Sequence, residues 1–266
     1  VFEHIRPFAI DFARLSLWFA ILAIVFVPIE RLVALHPNKV FRIEIWSDVG
    51  YYFLNSLAPT AILVLPSAVL AGTAHALLPD TYYDWVGHWP PAVHLVAVVI
   101  VGEIGFYWGH RWTHEIPALW RFHAVHHSAE QIDWLVNTRA HPIDMVFTRL
   151  CGLIPLHILG LTQTADGKPS IMVALFVVIS TAWGFLIHAN VRLRLGPIES
   201  LIATPAFHHW HHTNDEHRDK NYAAMLPCLD RLFGTFHLPR GWPPSYGVDD
   251  KLPAGLARQL IRPFRR

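Results

Sequence analysis

Apolar residues in this chain do not recur at the spacing of a surface helix or alternate as in a half-buried strand; they come in long unbroken runs. Residues 8–28 (FAIDFARLSLWFAILAIVFVP) carry only Asp11 and Arg14, both near one end. A second run covers residues 49–78 and contains Pro59 and Pro66, and a third covers 91–109 behind Pro90. Residues 143–161 and 170–188 make an apolar pair around the turn-like TQTADGKP. About 20 apolar residues suffice for a helix to cross the hydrocarbon of a bilayer, where each backbone polar group must be paired within the chain. The pattern predicts an all-α fold: an integral membrane helical bundle of four or five spans, forming one domain over residues 1–266. The second run reads as one tilted, kinked span or as a broken, re-entrant pair.

Charge placement orients these spans. Eleven Lys and Arg residues follow position 188, and Arg31, Lys39 and Arg42 lie between the first two runs. Residues 79–90 contain no Lys or Arg, and 162–169 contain only Lys168. Counted through five spans, the basic segments share one side, which the positive-inside rule makes cytoplasmic. The composition agrees with a membrane protein, with 53% hydrophobic and 15% charged residues. A net charge of +1 gives no electrostatic case for nucleic acid as a partner. Two cysteines, Cys151 and Cys228, make no disulfide framework. The chain begins with Val and no secretory signal precedes its apolar runs, so it reads as starting inside a longer protein.

Histidine is the anomaly: there are nineteen, mostly in two stretches on the basic side. His110 and His114 are four positions apart on a continuing helix, so their rings share one face. His123, His126 and His127 follow at helical spacing, and His208, His211 and His212 repeat that arrangement after the apolar pair. His188 ends the last run. Nine imidazoles exceed the coordination of one ion, but shared between two ions they give four or five each. Neutral nitrogen ligands without cysteine suit iron, copper, nickel or zinc and argue against a structural zinc finger. Burying so many ring nitrogens without partners would cost about 1–3 kcal/mol each. His75, His94 and His157 read as core or interfacial residues. A membrane metal carrier also concentrates histidine, but its ligands line a path at membrane depth, whereas these boxes gather at one surface.

The ordered set H110-x3-H114, H123-x2-H126-H127 and H208-x2-H211-H212 resembles the three histidine boxes of the fatty acid hydroxylase and sterol desaturase superfamily. The likeness extends through HHSAEQIDWLVNTRAHPID and through Asp219, Asn221, Tyr222 and Asp230, and covers about residues 95–237. The resemblance implies a membrane-bound, non-haem di-iron monooxygenase. Such an enzyme takes dioxygen as co-substrate and external electrons to hydroxylate or desaturate a lipid, with zinc possible as a substitute metal in purified protein. It also implies a helical cap on the cytoplasmic side carrying the dimetal site, with His188 completing the ligands. Electrons are expected from a separate protein, either cytochrome b5-like or a ferredoxin with its reductase.

A shell of neutral rings leaves two cations without ligand charge, so nearby carboxylates should matter. Glu103 is seven residues before His110, on nearly the same helical face and within a span, and an intramembrane acid is a functional candidate by default. Glu103, Asp133 and Asn221 are therefore the catalytic-site candidates, Asn221 with Tyr222 as a brace for the third box. Asp144, Asp215, Asp219 and Asp230 are further partners for the rings, and His141 is expected to be structural. Trp108, Trp112, Trp120, Trp134 and Trp210 are candidates for the pocket wall, although interfacial aromatic belts explain such residues equally well.

Overall fold

The structure, a computed structural model, describes residues 2–164 and 166–265. Its long helices are α1 (Phe2–Leu32), α2 (Ile45–Leu77), α4 (Pro91–Glu115), α6 (Pro142–Ile158) and α7 (Ile171–His188). Shorter helices join them: α3 (Asp80–Gly87), α5 (Pro117–His127), α8 (Pro205–His211), α9 (Cys228–Leu232) and α10 (Leu256–Ile261). Among the described residues, β-pairing is confined to isolated bridges such as Ala34 with Val191. Among the described residues, four stretches are long and apolar enough to cross a membrane: Phe8–Leu32, Ile45–Leu77, Pro91–Glu115 and Ile171–His188. Ile24, Leu65 and Val178 stand exposed on three of them. In water such faces would promote association; in lipid they match their solvent.

The second apolar run is one continuous helix with Pro59 and Pro66 inside it, not a re-entrant pair. Each proline removes one helical donor, a loss that membrane helices tolerate through their neighbours and local adjustment. Residues 80–87, within a stretch that reads from the sequence as a loop, form α3. Tyr82 at its start donates to the carbonyl of Leu159 at 2.9 Å, tying α3 to the end of α6.

Small residues set how α4 meets α6. A Cβ on Gly105 would fall 2.2 Å from the Cys151 carbonyl oxygen, and one on Gly109 would fall 2.6 Å from the Cys151 Cβ. Only glycine at these positions lets the two backbones approach this closely. That approach brings the C-terminal end of α4, with His110 and His114, beside the N-terminal end of α6, with Asp144.

The other long helices bring ends to the same face. Glu30 near the end of α1 accepts from the backbone N–H groups of Trp134 and Asn190, each at 2.8 Å. Asp48 in the first turn of α2 binds Arg139 at 2.5 Å. The last residue of α7 is His188. One end of the bundle thus gathers all the histidine boxes, and α5, α8 and the segments around them cap it.

Candidate metal centre

Each box is fixed by its own local structure. His110 and His114 lie in the last turns of α4, and His123, His126 and His127 end α5, which starts at Pro117. Thr204 caps α8 by accepting from the Phe207 N–H, so the short helix presents His208 and His211 on one side, with His212 immediately after it. All nine rings are buried.

The rings sort into two groups. His110, His114, His123, His127 and His211 form one, and His126, His188, His208 and His212 the other. Within each group the candidate ligand atoms all lie within 4.8 Å of one another. The groups adjoin, with the rings of His127 and His212 stacked at 4.5 Å between centroids.

Ring partners decide what the converging nitrogens are. His110 Nδ1 donates to the Tyr222 carbonyl at 2.7 Å, and His211 Nδ1 to the Lys220 carbonyl at 2.8 Å. His126 Nδ1 donates to the Arg139 carbonyl at 2.9 Å, and His188 Nδ1 to the Gly184 carbonyl at 2.7 Å. His123 Nδ1 lies 3.1 Å from both oxygens of Asp144, and His114 Nδ1 lies 3.1 Å from Asp219. An acceptor at Nδ1 places the proton there and leaves Nε2 as a bare lone pair in the neutral ring.

In each group two such lone pairs then face each other. His110 and His123 Nε2 are 3.2 Å apart in the first group, as are His126 and His188 Nε2 in the second. Lone pair against lone pair repels unless a cation lies between them. A proton is disfavoured in that role, because burial and then the neighbouring His123 push His126 down to about 4. Burial likewise holds His127, His208, His211 and His212 well below the ordinary histidine value. A metal ion fits: two nitrogens each about 2.0–2.1 Å from one ion stand roughly 2.9–3.4 Å apart at tetrahedral or octahedral angles. Across the second group, the Nε2 separations of His208–His188, His208–His212 and His188–His212 are 2.9, 3.1 and 3.2 Å.

The carboxylates divide differently from the sequence expectation. Asp144 and Asp219 touch ligand rings directly. Asp230 accepts from the N–H groups of Tyr222 and Ala223 at 2.7 and 3.0 Å, holding the loop whose carbonyl orients His110. Glu103 accepts from the N–H groups of Met225 and Leu226 at 2.8 and 3.3 Å, anchoring the chain after the third box to α4. Asp133 chelates Arg42 at 2.6 and 3.0 Å and caps the 3-10 turn Trp134–Thr138. Asn221 sits at φ 59°, donates to the carbonyls of Phe207 and His237, and accepts from the His237 N–H. Among the described residues none of these last three bonds a ring of either group; Asn221 holds the backbone at Phe207 beside His208, whereas Glu103 and Asp133 brace segments that carry no ligand.

His141 caps α6 and donates to the Leu260 carbonyl, a structural role. Trp120 packs on His114 and His127 at centroid distances of 5.2 and 5.5 Å. Trp134 stacks instead in the Phe26–Phe185 core, Trp108 lies against Phe233, and Trp210 against His237. The chain of ion pairs from Asp133 through Arg42 and Asp48 to Arg139 has no sequence signature, because its members are scattered over 98 positions. Nor can the orienting carbonyls be read from side-chain identity, since every residue has one.

Fold and site together define an all-helical protein with membrane-capable helices and a buried cluster of histidines in two groups, each of which could hold a metal ion. The chain belongs to the fatty acid hydroxylase family, which matches residues 95–235. It is 35% identical over 231 residues to ornithine lipid hydroxylase OlsE of Rhizobium tropici, covering 84% of this chain and 67% of that protein. It is 29% identical over 188 residues to alkylglycerol monooxygenase of Danio rerio, covering 69% of this chain and 40% of the relative. It is 26% identical over 229 residues to a probable Delta(7)-sterol 5(6)-desaturase of Neurospora crassa, covering 84% and 60%. These relatives are oxidoreductases, and the chain is an enzyme of that class. No solved structure matches it.

Proposed function

We propose that this protein is a di-iron lipid hydroxylase, inserting one oxygen atom of dioxygen into a C–H bond of a membrane lipid. The observation that carries the reading is the convergence of nine buried imidazoles as facing lone pairs, in a chain whose relatives oxidise lipids. His110, His114, His123, His127 and His211 hold one iron, and His126, His188, His208 and His212 the other. Iron bound there supplies the activation of dioxygen and the oxidising power needed to break an unactivated C–H bond. The chain's own groups do the rest. The carbonyls of Tyr222, Lys220, Arg139 and Gly184, with Asp144 and Asp219, fix six of the nine rings and keep their protons on Nδ1. Burial of all nine rings excludes bulk water from the oxidising centre.

The metal end lies on the cytoplasmic side in this reading, supported by the basic segments that surround it, and electrons reach it from a separate donor protein. An amino-acid-linked lipid is the first substrate to test, since the relative matched over 231 residues is an ornithine lipid hydroxylase. A desaturase on the same scaffold is the second reading, favoured by the sterol desaturase relative. Lipid mass spectrometry of cells with and without the active protein, grown under 18O2, separates the two. Hydroxylation gives a labelled oxygen on one lipid class and desaturation a loss of two hydrogens. An unchanged lipid profile with a metal-free purified protein would refute both.

A further inference from the structure

A recess of about 600 Å³ opens on the metal-bearing face between residues 37–44, residues 128–131 and the C-terminal segment that ends in α10. Ser128 and Ala129 on its wall directly follow the ligand His127 in the chain. Arg139, also on the wall, holds His126 through its carbonyl. Phe41, Ile43 and Trp46, all strongly exposed, stand where the chain enters the membrane-capable α2. A row of exposed apolar and aromatic side chains at the start of a span is the signature of the membrane–water interface. The recess therefore lies between the start of a membrane-capable helix and the segments that carry and orient His126 and His127.

Its charges are of two kinds. Arg42 and Arg139 are already neutralised by Asp48 and Asp133 behind them. At the mouth Lys251 pairs with Glu130 at 2.7 Å. Two charged groups on the wall have no ion partner among the described residues, namely Lys39 and Glu44. Glu44 accepts through one oxygen, Oε2, from the Gly255 N–H at 3.2 Å and the Gln259 amide at 2.9 Å. Gln259 is 2% exposed, and its own Oε1 is buried without a donor. A half-buried carboxylate with no ion partner, oriented by two donors on one oxygen, makes a receptor for a protonated amine, and Lys39 supplies the opposite charge for an anionic oxygen group.

We propose that this recess is the headgroup site for the substrate and that it takes a zwitterionic headgroup. The ammonium lies against Glu44, which Gln259 orients, the anionic group against Lys39, and the acyl chains leave past Phe41 and Ile43 into the bilayer. The proposal rests on the lipid-hydroxylase reading and names the substrate class within it.

The test is direct binding by the full chain in nanodiscs, measured separately from turnover. Three probes are compared: a diacylated amino-acid lipid with a free ammonium, the same lipid N-acetylated, and a neutral glycerol ether lipid. The wild-type protein should bind the first about tenfold more tightly than the other two, and Glu44→Gln should abolish that preference. The amide retains an oxygen for the Gly255 and Gln259 donors, and metal content at the wild-type value shows that the variant folds. Lys39→Ala, an exposed change, should weaken binding of the ammonium lipid severalfold. Equal binding of the three probes by the wild-type protein, or an unchanged preference in Glu44→Gln, would overturn the headgroup site even if the protein still hydroxylates a lipid. Selective binding lost in Glu44→Gln, with no oxygen inserted, would uphold the site and fail the hydroxylase reading instead.

Discussion

The two histidine groups differ in what stands behind their rings. In the five-histidine group two rings rest on carboxylates, His123 on Asp144 and His114 on Asp219, while His110 and His211 rest on carbonyls. In the four-histidine group His126 and His188 rest on carbonyls alone, and the Nδ1 atoms of His208 and His212 are buried without partners. A carboxylate behind an imidazole makes the ring a stronger base and offsets part of the charge of the ion it binds. The two sites are therefore unequal by construction. With ions bound as proposed, the five-histidine group would favour higher cation charge and tighter binding, and the four-histidine group, a smaller and neutral set, would give up its ion first.

Removing a ring from either group gives the largest effects. His211→Ala deletes a member of the first group and His126→Ala one of the second, and each should abolish turnover. Metal analysis by mass spectrometry should find less than two ions per chain in both variants. His126→Ala should lose the ion of the weaker site outright, whereas His211→Ala should retain partial occupancy. Full metal content and full activity in both variants would refute the ligand assignment.

Asp144→Asn separates the groups most sharply. Asp144 is buried and holds His123 through both oxygens, and loss of such a partner costs about 10–100-fold in metal affinity. The loss should fall on the five-histidine site alone, so a chelator time course that is biphasic in the wild-type protein should collapse toward one phase. A biphasic course unaltered by the substitution would show that the carboxylate does not cause the inequality.

Much of this centre is legible in the sequence, for a physical reason. Helical spacing fixes which rings share a face, so His110 and His114 or His123, His126 and His127 group before any fold is known. Continuous apolar runs likewise mark the membrane-capable helices, and the glycines of α4 are visible though their partner Cys151 is not. What stays hidden is the layer behind the rings. Asp144 and Asp133 look alike in the sequence, yet one supports a ligand and the other neutralises Arg42, because their neighbours come from segments 20 to 90 positions away. Glu103 appears well placed by helical periodicity, but its carboxylate turns to the backbone of Met225 and Leu226. Periodicity gives the side of a helix, not what another segment brings to it.

Acid tests both groups at once and more gently. His209 lies between the ligands of α8 but faces away from them, with Nδ1 on the Tyr246 hydroxyl and Nε2 on the Ala189 carbonyl. Burial pushes it down to about 4, as it does His126. A histidine lowered by folding takes up its proton more readily in the unfolded chain, so the stability it contributes is complete above about 6.5 and is lost as pH falls toward 4. Metal-stripped protein followed by thermal unfolding should lose stability across that window, and His209→Gln should lessen the loss by the share of one ring, the buried ligand histidines supplying the rest. A transition temperature constant from pH 7 to 4 would contradict a neutral, buried His209.

Asp219→Asn should give the smallest effect and completes the comparison. Like Asp144, Asp219 meets a ligand ring at 3.1 Å, but its side chain is 58% exposed while that of Asp144 is 5% exposed. Water screens an exposed carboxylate, so its charge does less for the ring, and exposed ion pairs generally contribute 0–1 kcal/mol. Asparagine can still accept from His114 Nδ1 and keep the tautomer. Metal affinity of the five-histidine site should therefore fall only about two- to fivefold, and less at high salt, against the 10–100-fold expected for Asp144→Asn. Were the two substitutions to cost the same, burial would not be what makes the Asp144 carboxylate effective, and the inequality of the sites would have to arise from ring number alone.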